Sequence, residues 1–85
     1  MNIFYTSKFE KSFQRLPIII QLLAVGKEKL FRKNLFDPKL RTHKLSGKLN
    51  KYWSFSIDYN YRIMFELSES NDVLFINIGD HDIYK

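Results

Sequence analysis

The apolar residues of this chain change their spacing once, and that change limits what the chain can fold into. From Phe9 to about Lys33 they recur at helical intervals, and from Tyr52 to Gly79 they alternate. A chain written this way forms helices first and a sheet afterwards, and each must hide its apolar side against the other. With 85 residues there is material for one core. The expected organisation is therefore a single domain over residues 1–85.

The helical part opens after a short strand at Asn2–Tyr5. Ser7-Lys8-Phe9-Glu10 matches a capping box, with Ser7 accepting from an early backbone N–H and Glu10 reaching back. Phe9, Phe13 and Leu16 form the apolar stripe of a first helix. Pro17 cannot continue that helix but suits the first turn of a second, from Ile18 to about Lys33. The stripe read for the second helix comprises Ile19, Leu22, Leu23, Leu30 and Phe31. Gly26 within it costs about 1 kcal/mol against Ala, which marks a bend or a close crossing. Asp37-Pro38 and Ser46-Gly47 then punctuate a basic loop.

Alternation takes over in the last third. Strands are expected at Tyr52–Asp58, Tyr61–Leu67 and Asp72–Gly79. The fold class is α+β, in the order β-α-α-β-β-β, with the helical hairpin on one sheet face and the other face open. If the covered face carries Trp53, Phe55, Ile57, Ile63, Phe65, Ile76 and Ile78, then Ser54, Ser56, Arg62, Asn77 and His81 project from the open one. Val73 and Phe75 would join them there, as an apolar area for a partner to cover.

The net charge is +5, and it is uneven. Lys27 to Lys51 holds nine Lys or Arg against Glu28 and Asp37, which suits a polyanionic partner as well as it suits a solvated surface. There is no cysteine, hence no disulfide framework, which fits a reducing cytoplasm. Two lone histidines do not make a tetrahedral zinc site. The opening residues do not read as a signal peptide, and the longest apolar run is far short of the roughly 20 residues that span a bilayer. No membrane role and no small-molecule cofactor are expected.

Five short stretches, taken in order, are familiar: Phe9-Glu10-Lys11-Ser12-Phe13-Gln14-Arg15-Leu16-Pro17, His43-Lys44-Leu45-Ser46-Gly47, Tyr52-Trp53-Ser54, Tyr61-Arg62-Ile63 and Ile78-Gly79-Asp80-His81-Asp82-Ile83-Tyr84. Over essentially its whole length the chain resembles the RelE/ParE toxin superfamily of type II toxin–antitoxin modules, in particular the RelE-, YoeB- and YafQ-like branches. That resemblance implies a ribosome-dependent endoribonuclease that cuts messenger RNA without a metal and is silenced by a cognate antitoxin. It assigns catalytic roles to His43, Arg62, His81 and Tyr84. Substrate contacts are expected from Lys44, Lys48, Lys51, Ser54 and Ser56. The further partners implied are messenger RNA on the ribosome and ribosomal RNA. The antitoxin's amphipathic segment would lie on Val73 and Phe75 or on the outer side of the helical hairpin.

In the implied chemistry Arg62 holds the scissile phosphate, His43 is the base and His81 the acid. Tyr84 is an alternative acid or a ring for a base to stack on. Asp80 and Asp82 beside His81 would favour the protonated form that an acid needs. Each residue also has an ordinary reading. His43 suits a solvated loop, Arg62 can pair with Glu66, His81 can belong to a surface ion cluster, and Tyr84 can pack the sheet edge. A ParE-like toxin that poisons DNA gyrase by binding alone would share the fold, as would a copy that no longer acts.

Overall fold

A computed structural model describes residues 1–85. In chain order the elements are β1 (Ile3–Tyr5), α1 (Ser7–Arg15), α2 (Ile18–Lys33), β2 (His43–Lys44), β3 (Tyr52–Ser56), β4 (Arg62–Leu67) and β5 (Val73–Gly79). Short 3₁₀ turns occupy Pro38–Leu40, Gly47–Leu49 and His81–Tyr84. The strands form one sheet in the order β1-β5-β4-β3-β2. β1 runs parallel to β5, and every other pair is antiparallel. The α+β arrangement read from the change of period is the one observed. The basic loop, however, contributes a two-residue edge strand, β2, that alternation could not reveal in so short a segment.

α1 begins one residue earlier than the capping box implied. Thr6 is the N-cap and accepts from the Phe9 amide at 3.0 Å. The Thr6 hydroxyl hydrogen is shared between the carbonyls of Phe75 at 3.0 Å and Ile76 at 2.9 Å. One side chain thus ends β1, starts α1 and ties both to β5. Ser7 lies inside the helix.

α2 buries a different face from the one predicted. Ala24 and Phe31 are buried and Ile20, Lys27 and Glu28 half-buried, whereas Ile19, Leu22 and Leu23 are exposed. The stretch Ile18-Ile19-Ile20-Gln21-Leu22-Leu23-Ala24-Val25 is apolar on almost every side, so its periodicity does not choose a face. Small Ala24 allows the close approach, and Phe31 fills the centre of the core. The Phe31 ring stacks on Phe55 at 4.6 Å and meets Phe65 and Phe75 edge-on at 5.1 and 5.7 Å. Gly26 marks no crossing, because a Cβ built there meets nothing within 4 Å.

The expectation for β5 fails halfway along the strand. Phe65 pairs with Phe75 but Met64 pairs with Asn77, so Ile76 is an extra residue, a β-bulge. Below the bulge Val73 and Phe75 face the helices and are 1% exposed, and above it Ile78 faces them too. Strict alternation would have sent Phe75 and Ile78 to opposite faces. Val73 and Phe75 are therefore core residues, unavailable to any partner, while Leu74 and Ile76 are only half-buried.

Candidate functional site

Residues directly opposite each other in an antiparallel pair project from the same sheet face. One row across the face away from the helices is His43, Ser54, Met64 and Asn77. The next is Ser56, Arg62 and Gly79. No helix covers these rows, and the C-terminal turn His81–Tyr84 folds across part of them. Gly79 makes room for it, since a Cβ there would lie 2.8 Å from Ile83 Cγ2. Tyr84 reaches back so that its hydroxyl bonds Ser54 Oγ at 2.6 Å. Ser54, Ser56, Met64 and Asn77 are buried as a result.

Arg62 does not pair with Glu66. Its Nη1 donates to Ser56 Oγ at 2.7 Å, and its buried Nε has no partner. The ion pairs of the protein are Arg32–Glu28 and Lys85–Asp82, so no carboxylate neutralises Arg62. The guanidinium lines a hollow of about 250 Å³ together with Ser56, Asp58, Lys27, Lys39 and Arg41. The last three were not singled out in the sequence. Their signal was the basic run itself, which does not say which cations converge.

His43 is exposed on β2, and its Nδ1 lies 2.9 Å from the Arg41 carbonyl. A carbonyl only accepts, so Nδ1 carries the hydrogen and Nε2 of the neutral ring is left with a free lone pair. Arg41 itself is left-handed, with φ of 53°. That conformation costs a non-glycine residue about 1–2 kcal/mol, and such strain is concentrated at functional positions.

His81 stands near the Tyr84 ring, with centroids 6.0 Å apart and edge to face. It lines a separate shallow hollow with Asn60, Tyr61, Asp80 and Asp82. Its neighbouring aspartates turn elsewhere. Asp80 accepts from the Asp82 amide at 2.9 Å, and Asp82 pairs with Lys85 at 3.1 Å. The hydroxyl of Tyr84 thus reaches the row that contains His43, while Arg62 and His81 line different hollows.

Among the lysines, Lys44 is exposed and stands apart from the others. It pairs with Trp53, and alternation along β2 sends it to the helix side of the sheet, away from His43 and Ser54. Lys51 Nζ sits 5.1 Å over the Tyr52 ring, and Lys48 is exposed in the turn before β3 without an ion pair.

No protein-family model and no curated protein sequence matches the chain. Solved structures do. The YoeB/ParE toxin from Agrobacterium tumefaciens superposes with a TM-score of 0.78 at 18% identity, over 95% of this chain and 99% of that one. The chain has the RelE/ParE toxin fold. YafQ from Escherichia coli gives 0.76 at 14% identity over 98% and 96% of the two chains. A YoeB–YefM complex from Staphylococcus aureus gives 0.74 at 16% identity, over 95% and 97%. Identities this low carry the RelE/ParE architecture and leave the chemistry to the residues. In this RelE/ParE fold the candidate residues His43, Ser54, Ser56 and Arg62 lie on one sheet face, and the Tyr84 hydroxyl reaches it at Ser54.

Proposed function

We propose that this protein is the toxin of a type II toxin–antitoxin pair and that it cleaves messenger RNA on the ribosome, in the cytoplasm, without a metal ion. The state of Arg62 carries the reading. It is a permanently charged fork, held by Ser56 beside a hollow, with no carboxylate to neutralise it. Such a group suits a phosphodiester better than it suits the fold.

The reaction that fits is attack by the substrate's own 2′-oxygen on the adjacent phosphorus. His43 Nε2 takes the 2′-hydroxyl proton while the new O2′–P bond forms. Arg62 steadies the charge that builds on the phosphoryl oxygens. The P–O5′ bond breaks, and Tyr84 or His81 gives a proton to the departing oxygen. The products are a 2′,3′-cyclic phosphate end and a 5′-hydroxyl end. Ser54 and Ser56 position Tyr84 and Arg62, and Lys48 and Lys51 extend the positive surface towards ribosomal RNA.

The antitoxin is assigned to α2, where Ile18, Ile19, Leu22 and Leu23 leave an apolar face uncovered. Solved structures with this fold include the toxin–antitoxin complex RelBE2 from Mycobacterium tuberculosis. Primer extension on messenger RNA after brief induction tests the activity, comparing wild type with His81→Ala and Arg62→Ala. New 5′ ends that vanish in the variants are expected. An SOS response without cleavage would instead mark a gyrase-directed toxin, and normal growth with neither would mark an inactive copy. Either outcome overturns the nuclease reading.

A further inference from the structure

The hollow beside Arg62 is built from distant parts of the chain. Lys27 comes from α2, Lys39 and Arg41 from the turn before β2, Tyr59 from the turn after β3, and Arg62 from β4. None of the four cations makes an ion pair. The one carboxylate in the lining, Asp58, is engaged through Oδ1 with the amides of Asn60 and Tyr61 at 2.9 and 2.8 Å. Like charges gathered round a cavity repel one another, and one carboxylate against four cations offsets only part of that repulsion. An anion would offset the rest. The buried Nε of Arg62, without a partner, is a further donor left over on the same side chain.

Tyr59 narrows the class of anion. Tyr59 borders the hollow and is 88% exposed, which leaves its ring open to a stacking partner. An exposed aromatic next to a basic groove is how proteins hold single-stranded nucleic acid, the cations tracking the backbone and the ring stacking on a base. An acidic peptide would use the cations and leave the ring idle.

We propose that this hollow is a second phosphate site. Lys27, Lys39 and Arg41 hold the phosphodiester next to the scissile one on a single RNA strand, and Tyr59 stacks on the adjoining base. Arg62 stands between the two phosphates, and the left-handed turn at Arg41 points its side chain to one and its carbonyl to His43. The assignment rests on the nuclease reading for the direction of the strand, but its test does not need cleavage.

The probe is a 2′-O-methyl RNA oligonucleotide, which has no 2′-hydroxyl to react, with binding read by fluorescence anisotropy across a salt series. Each lost phosphate contact lowers the slope of log affinity against log salt by about 0.7 for a single strand. Lys39→Ala with Arg41→Ala removes one phosphate contact, and is expected to lower the slope by about 0.7 and to weaken binding for every sequence alike. Tyr59→Ala is expected to weaken binding roughly tenfold with the slope unchanged. Lys8→Ala with Lys11→Ala removes the same charge from exposed positions on α1 and is the control. Equal loss in the control, or an unaltered slope in the Lys39/Arg41 variant, overturns the site. So does a polyglutamate peptide that binds as tightly and is insensitive to Tyr59→Ala, since the occupant would then be an acidic protein. If the oligonucleotide binds with the predicted dependence but the wild type does not cut messenger RNA on ribosomes, the nuclease reading falls and the phosphate site stands.

Discussion

Thr6 caps α1 through the Phe9 amide and gives its hydroxyl hydrogen to carbonyls on either side of the bulge residue's peptide bond. Thr6→Val keeps the shape and removes both functions. The expected cost is about 2 kcal/mol, one part for the cap and one for carbonyls left without that donor, read as a lower urea midpoint. Tyr5 offers a test by pH. Burial raises its phenol above the ordinary value of about 10, and the hydrogen bond to Glu28 adds to the rise, while Arg32 opposes it. The native state then keeps a proton that the unfolded chain has released. The stability this contributes is fully present below about pH 10 and is lost as pH rises through the folded value. Unfolding midpoints measured above pH 10 should fall more steeply for wild type than for Tyr5→Phe.

α2 shows how an element can be legible in kind and illegible in orientation. Its length and its start at Pro17 follow from the sequence, but its first two turns are so apolar that no face is favoured. The sheet decides, through Ala24 and Phe31. Gly26 faces solvent, so Gly26→Ala should stabilise the protein by about 1 kcal/mol in a denaturant titration. The C-terminal 3₁₀ turn behaves in the opposite way. Gly79→Ala puts a methyl group 2.8 Å from Ile83 Cγ2, and relief of that overlap lifts the turn off the sheet. The expected cost is about 1–3 kcal/mol of stability. Cleavage in the primer-extension assay should fall as far as it does in Tyr84→Phe, which removes the hydroxyl and with it the Ser54 bond.

For the molecule as a whole, the functional reading requires one proton acceptor and one donor acting together. Cleavage of RNA should therefore show a bell-shaped dependence on pH and should be unaffected by EDTA. A requirement for added divalent ions would sink the mechanism. The basic middle segment should also make association with ribosomes weaken as salt rises, and a salt-independent association would contradict that field.

The amino-acid sequence by itself determined the class of fold, because the apolar period switches from helical to alternating and each period permits one kind of element. It also determined that Ser54, Ser56 and Arg62 share a face, since alternation within β3 and β4 is unbroken. Tertiary structure alone decided the rest. A bulge at Ile76 reverses parity along β5, and bulges depend on how two strands pair, not on the pattern of either. The side on which Lys44 stands belongs here too, because β2 exists only by pairing with β3, and the register of that pairing sets which side each residue faces. Lys27, Lys39, Arg41 and Arg62 come from separate elements, so their convergence follows from the packing of those elements and leaves no local trace in the chain.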